Sequence, residues 1–222
     1  MLRMNMDIEH TRFNMVEQQV RPWDVVDPRV LDALTRVRRE DFVPQALRAM
    51  AFADVELPLG HGERMMKPVV EGRMLQALAV DSGDSVLEIG TGSGFTCGCL
   101  AVLARDVTSV EIRPEFAADA ERNLQRAGFA NTRVLVADAL TGFAPNRAFD
   151  VIAVTGAVHR EPAVLRSWLA IGGRMFVVRG DSPAMQAMLV TRLGASEFAE
   201  TSLFETDLPY LTHAAPKKRF LL

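Results

Sequence analysis

The run Val86-Leu87-Glu88-Ile89-Gly90-Thr91-Gly92-Ser93-Gly94-Phe95 constrains this chain more than any other stretch of its length. An apolar segment carrying one acid reads as a buried strand, and the alternating glycines then lead into a helix. Glycine is needed where the backbone turns tightly and nothing may protrude toward a ligand lying on bare main chain. A loop of this kind sits at the carboxyl end of a parallel strand, so the surrounding chain is committed to an α/β layout.

The texture beyond Asp81-Ser82-Gly83-Asp84 agrees. Ser85–Ile89 reads as a strand, Phe95–Leu103 as a helix, and Val107–Ile112 as a strand ended by Arg113-Pro114. Glu115–Ala127 follows as a helix closed by Gly128, then Arg133–Ala137 as a strand. Phe149–Val154 is nearly all apolar, as a central parallel strand should be. A helix over Pro162–Ala170 and a strand over Arg174–Val178, after Gly172-Gly173, complete the alternation. Helices of this length between strands imply right-handed crossovers and a doubly wound, mostly parallel sheet. Met185–Leu193 is open between helix and strand, and Phe198–Phe204 with Arg219–Leu222 is expected to form a C-terminal antiparallel pair.

From Met15 to Leu78 the pattern is helical. Val30, Leu31, Leu34 and Val37 follow helical spacing after Asp27-Pro28, an N-cap and first-turn proline. A short helix over Ala46–Met50, a loop over Leu57–Gly62 and a helix opened by Pro68 follow, and Trp23 is expected to anchor the N-terminal helix by packing. The expected organisation is a helical extension or cap over residues 1–80 and a ligand-binding α/β unit over residues 81–222, together one compact unit.

The 222 residues are 49% hydrophobic, with a net charge of −3, so no global basic field draws nucleic acid or an anionic membrane. Lys217-Lys218-Arg219 is too small a patch to reverse that. Cys97 and Cys99 are too close to bridge and read as packing residues; no further Cys/His pair stands at metal-ligand spacing, so no metal is expected. The N-terminal segment lacks the apolar core of a signal peptide, and no apolar run approaches membrane-span length. A cytoplasmic setting is expected.

Three acids mark the ends of successive strands: Glu88 before the glycines, Glu111 about twenty residues on, and Asp138 after the third strand. A pyrophosphate ligand strains this pattern. Phe95 takes the place of the third dinucleotide-loop glycine, and Glu88 is poorly placed beside phosphate. S-adenosylmethionine carries an ammonium and a sulfonium and no phosphate, so nearby acids assist it. Glu111 suits ribose hydroxyls and Asp138 an adenine amino group.

Glu88-Ile89-Gly90-Thr91-Gly92-Ser93-Gly94, Glu111 and Asp138 resemble the successive cofactor motifs of class I S-adenosylmethionine-dependent methyltransferases, which implies a Rossmann-like fold. By that resemblance Gly90, Gly92 and Gly94 line the methionine end, Glu111 holds the ribose and Asp138 the adenine. Glu88, Thr91, Ile112 and Ala139 belong to the same cofactor set. Further upstream, Asp27–Leu34, Val37–Pro44, Ala51–Asp54 and Leu57–Gly62 resemble the protein-L-isoaspartate O-methyltransferases, a likeness running from about Met15 to Gly180. That resemblance implies methylation of the free carboxylate of an isoaspartyl residue in damaged protein, which starts its repair. Nucleic-acid methylation is disfavoured by the absence of an Asn/Asp-Pro-Pro-aromatic tetrapeptide.

The substrate half departs from the family. Where the family reads Thr-Ile-Ser-x-Pro, this chain reads Arg64-Met65-Met66-Lys67-Pro68, so Met66 holds the serine position and Arg64 the threonine position. The small-residue stretch after the fourth strand becomes Thr155-Gly156-Ala157-Val158-His159-Arg160. A carboxylate, with a pKa near 4, is already a nucleophile at neutral pH, and in-line displacement needs orientation and desolvation rather than a base. Losing the serine hydroxyl therefore removes a positioning donor worth ~1–3 kcal/mol. Arg64 or Lys67 could replace it by pairing with an anionic acceptor, or both could be solvated charges above Met65 and Met66. His159, ahead of His61, is the candidate base should the acceptor be a phenol or enol. Arg64, Met66, Lys67 and His159 are thus the catalytic candidates. The expected partner is an isoaspartyl protein or peptide, with a small anionic acceptor as alternative and a non-catalytic cofactor-binding protein as a third reading.

Overall fold

Successive residues of the central strands enter two different cores. In β3 (Ser85–Ile89) Val86 joins one apolar cluster while Leu87 and Ile89 join the other. In β6 (Phe149–Val158) Val151 and Ala153 alternate with Ile152 and Val154, and in β7 (Leu169–Arg179) Phe176 and Val178 alternate with Met175 and Val177. Strands apolar on both faces must be covered on both sides, which is why they read as unbroken hydrophobic runs.

The protein, described for residues 2–217 by a computed structural model, builds one seven-stranded sheet in the order β5-β4-β3-β6-β7-β8-β9. β4 is Asp106–Glu111, β5 Thr132–Val136, β8 Met185–Arg192 and β9 Phe198–Thr206. Pairings from β5 through β7 are parallel, and β8 and β9 are antiparallel. α4 (Phe95–Leu103), α5 (Pro114–Arg126) and the short α6 (Ala163–Ser167) carry the crossovers.

Ahead of the sheet, α1 (Leu2–Asn14) runs into a wide π-type segment, Met15–Val20. α2 (Pro28–Arg36) begins as expected, with the Asp27 side chain accepting from Arg29 N. α3 (Pro68–Leu78) packs against the sheet, and Met15, Leu34, Leu75, Leu100 and Phe176 share a single core. Among the described residues no helix is long and apolar enough to cross a membrane.

Several expectations change. Leu57–Gly62 is no loop: β1 (Leu57–Gly60) and β2 (Glu63–Met65) form a hairpin, too short for alternation to reveal. The helix expected over Pro162–Ala170 spans only Ala163–Ser167, because β7 starts at Leu169 and runs through Gly172-Gly173. A Cβ at Gly173 would lie 2.9 Å from Ala170 O and 3.0 Å from Asp150 O, so the glycine admits a bulge inside the strand. The short helix expected over Ala46–Met50 is present as a 3₁₀ helix over Gln45–Met50, and Met185–Arg192, open between helix and strand by sequence, is strand. Trp23 is 57% exposed rather than buried as a packing anchor would be. The strand expected over Arg219–Leu222 lies outside the described residues.

One buried ion pair joins the N-terminal part to the sheet side. Arg39 has no exposed surface; its guanidinium pairs with Glu71 on α3, donates to Met66 O at 2.7 Å and lies 4.7 Å from the Phe95 ring centroid. Burial pushes the Glu71 carboxyl up, and Arg39 opposes that rise. Removing one partner of such a pair strands the other in low dielectric, at about 3–5 kcal/mol. Arg39→Ala is expected to lower unfolding free energy by that order in urea titrations; a loss below about 1 kcal/mol would show the pair to be dispensable.

Candidate active site

A cavity opens at the carboxyl ends of the parallel strands, where α/β sheets place ligands. Its floor is Ile89, Gly90 and Gly92 from the β3 loop; Glu111 and Ile112 follow β4, and Asp138, Ala139 and Leu140 follow β5. Thr155 and Gly156 from β6 form another wall. The hairpin β1–β2 overhangs it through Leu59, Glu63, Arg64 and Met65, with Met66 just beyond, and Leu208–Thr212 closes the far side.

The glycine loop is held from below. Gly90, Gly92 and Gly94 have φ of 95°, 51° and 86°, a region open to glycine and strained for other residues. Glu111 Oε2 accepts from Gly92 N at 2.9 Å and Oε1 from Arg113 N at 3.0 Å, so this acid fixes the loop while bordering the cavity. Thr155 Oγ1 lies 2.9 Å from Ile89 O and 2.5 Å from Gly90 O. Gly94 caps α4 and meets α5: a Cβ there would lie 3.1 Å from Ala120 Cβ.

The structure brings Gly90, Gly92, Glu111, Ile112, Asp138 and Ala139 to this one cavity, with Arg64 and Met66 at its rim. It does not bring the others. Glu88 is fully buried two residues deeper, in register with Ser109 rather than with Glu111. Its Oε2 lies 2.5 Å from Ser109 Oγ, which lies 2.5 Å from the buried Thr91 hydroxyl, so Glu88 and Thr91 brace the loop from inside the protein. Gly94 likewise serves helix packing. Lys67 is exposed at the start of α3 and is not part of the lining. His159 follows β6 outside the lining, with Nδ1 3.2 Å from Asp181 Oδ1. His61, at the hairpin turn, is engaged with Glu115 at 3.1 Å and edge-on to Phe116.

Sequence reasoning missed two walls. The hairpin contributes Leu59 and Glu63, the latter accepting from Arg113 Nη2 at 3.2 Å. The segment Leu208–Thr212 follows the last strand and carries no motif; only its pairing beside Ala157 gives it a place. The lining includes Glu56, Glu63, Arg64, Glu111, Asp138 and Tyr210 but no histidine, lysine or cysteine. Among the described residues no cluster of His, Cys, Asp and Glu could hold a metal.

Glu88 has one orphaned carboxyl oxygen, and burial, reinforced by the nearby Glu111 charge, pushes its pKa up to about 8 against the Ser109 bond. Its folded-state pKa thus exceeds the ordinary 4.5, so the folded form holds the extra proton between those values. Stability from this group therefore falls as pH rises from about 4.5 toward 8. Glu88→Gln is expected to melt above the parent near pH 8.5 and to converge with it near about pH 5, read by thermal scans. Parallel melting curves at both pH values would contradict a neutral Glu88.

Known proteins resemble this chain in sequence and in fold. The chain is 40% identical over 197 residues to protein-L-isoaspartate O-methyltransferase 2 of Marinobacter nauticus, covering 88% of this chain and 90% of that one. It is 36% identical to the protein-L-isoaspartate O-methyltransferase of Gloeobacter violaceus, covering 92% and 100%. In fold it matches a structure described as a beta-aspartate methyltransferase (PCMT) from Plasmodium falciparum in complex with S-adenosyl-L-homocysteine, with a TM-score of 0.79 over 90% of this chain and 97% of that one at 16% identity. A family profile for protein-L-isoaspartate(D-aspartate) O-methyltransferase (PCMT) matches residues 11–207. With its parallel sheet and its strand-end cavity, the chain belongs to the protein-L-isoaspartate(D-aspartate) O-methyltransferase family.

Proposed function

We propose that the protein transfers a methyl group from S-adenosylmethionine to the free carboxylate of isoaspartyl residues in damaged proteins or peptides. The observation that carries this reading is a strand-end cavity with bare main chain at Gly90 and Gly92 on its floor and the Arg64 guanidinium at its rim, placed to pair with an anionic acceptor. A carboxylate acceptor with pKa about 4 is ionised at neutral pH, so it needs orientation and desolvation rather than a base. The named activity of the similar proteins from Marinobacter and Gloeobacter supports the same substrate class.

The residues present suit the cofactor. Gly90 and Gly92 leave bare main chain on the floor, Glu111 and Asp138 offer carboxylates at successive strand ends, and Ile112, Ala139 and Leu140 give an apolar wall for a flat base. S-adenosylmethionine would supply an electrophilic methyl group on a cationic sulfur. Glu111, buried and already ordered by Gly92 and Arg113, would receive ribose hydroxyls on its remaining lone pairs. Leu59, Met65 and Met66 keep the acceptor side dry, which strengthens any charge contact made there.

Arg64 is the cation at the rim. Among the described residues its partner is Glu56 at 3.4 Å, a loose pair that an incoming carboxylate can displace. Arg64 would thereby orient the acceptor in the role left vacant where Met66 replaces the family serine. That replacement also favours, as a second reading, a smaller anionic acceptor at the same site.

An isoaspartyl peptide with labelled cofactor is expected to yield base-labile methyl ester, and the matching aspartyl peptide none; equal labelling of small carboxylates alone would favour the second reading. Arg64→Ala is expected to lower kcat/KM for the peptide about 10-fold or more while S-adenosylhomocysteine binding stays within about 2-fold. Unchanged kcat/KM would remove Arg64 from the acceptor site.

A further inference from the structure

The chain after β9 is laid back across the cavity. Pro209 O accepts from Ala157 N and Leu211 N donates to Ala157 O, each at 2.8 Å. Leu211 occupies space that a side chain at Gly156 or Gly90 would need: its Cδ2 would lie 2.7 Å and 3.4 Å from a Cβ at those positions. Tyr210 Oη donates to Gly180 O at 2.8 Å and accepts from Ser182 N at 3.2 Å. This segment is therefore seated at both edges before it reaches His213.

His213 stands at φ 70°, a conformation costly for a residue with a Cβ. Its Nδ1 is 2.7 Å from Asp138 Oδ2. A carboxylate partner fixes the tautomer with the proton on Nδ1, so the imidazole donates. Asp138 also accepts from Leu140 N at 2.8 Å on Oδ1 and from Thr141 Oγ1 at 2.5 Å on Oδ2. Burial alone would raise the Asp138 pKa; the bonds from Thr141, Leu140 and His213 outweigh it and hold the group ionised. An exposed ring contributes little stability through such a contact, yet the backbone is held in a strained region to make it.

We propose that His213 is a positioning residue for base recognition: by donating to Asp138 Oδ2 it locks the carboxylate in the orientation that selects a cofactor base bearing an amino group. The inference rests on the reading of Asp138 as the adenine-side residue. It assigns the C-terminal segment a part in cofactor discrimination, with Leu211 against the glycine loop and His213 at the opposite end of the site.

Calorimetric titration of S-adenosylhomocysteine and of S-inosylhomocysteine, which has an oxo group in place of the adenine amino group, tests this on the intact chain. The parent should prefer the adenosyl ligand, and Asp138→Asn should lose that preference. His213→Gly, whose backbone adopts the same φ freely, should bind the adenosyl ligand about 5- to 10-fold more weakly and the inosyl ligand within about 2-fold of the parent. If the glycine variant fails to fold, His213→Asn, which tolerates positive φ with a shorter side chain, should show the same selective loss. Equal weakening of both ligands, or of neither, with Asp138→Asn still losing preference, overturns the role of His213 alone. Preference retained in Asp138→Asn overturns the adenine reading of Asp138 and this inference with it.

Discussion

The Arg39 guanidinium touches three parts of the molecule at once. It neutralises Glu71 in the middle of α3, it holds the carbonyl of Met66 at the rim of the cavity, and it covers the Phe95 ring at the start of α4. A charge without exposed surface is tolerable only when hydrogen-bonded and paired. The cost of breaking that set helps hold the Met66 segment against the helix that follows the glycine loop. Arg12 and Arg38 treat the neighbouring buried Glu40 in the same manner, so consecutive charged residues, Arg39 and Glu40, carry this junction.

The glycine loop depends on a second set of bonds. Glu111 takes the amide of Gly92 from the side, Thr155 reaches the carbonyls of Ile89 and Gly90, and Thr91, Ser109 and Glu88 form a buried chain beneath. A loop that leaves main chain bare has no side chains of its own to hold it, so its order comes from the strands on either side. This separates two acids with similar places in the sequence. Glu111 both orders the loop and borders the cavity, whereas Glu88, its carboxyl pushed up by burial, braces the loop from inside and does not line the cavity.

Much of the layout was legible because its causes are local. Helical spacing of Val30, Leu31 and Leu34, a first-turn proline after Asp27, glycines before Phe95 and apolar runs such as Phe149–Val154 each report on their own neighbourhood. The failures had non-local causes. Strands of three and four residues in the Leu57–Met65 hairpin are too short for a period, and the glycine pair before Arg174 marks a bulge inside a strand because carbonyls of Asp150 and Phe149 approach it. Trp23 looked like an anchor by composition, but large apolar residues do lie on surfaces.

By itself the sequence determined an α/β chain with a glycine loop after its first parallel strand, since hydrophobic period and the need for positive φ are written in neighbouring residues. It also determined the family, through motifs spread along most of the chain. Only the tertiary structure decided which of those motif residues share a cavity. Pairing β3 with β4 in register sets Glu88 beside Ser109 and leaves Glu111 two residues farther out, and that offset is a property of two strands rather than of either. Folding the hairpin and the segment Leu208–His213 over the strand ends then brought Arg64 to the rim and His213 to Asp138, contacts between residues as much as 75 positions apart that no local pattern encodes.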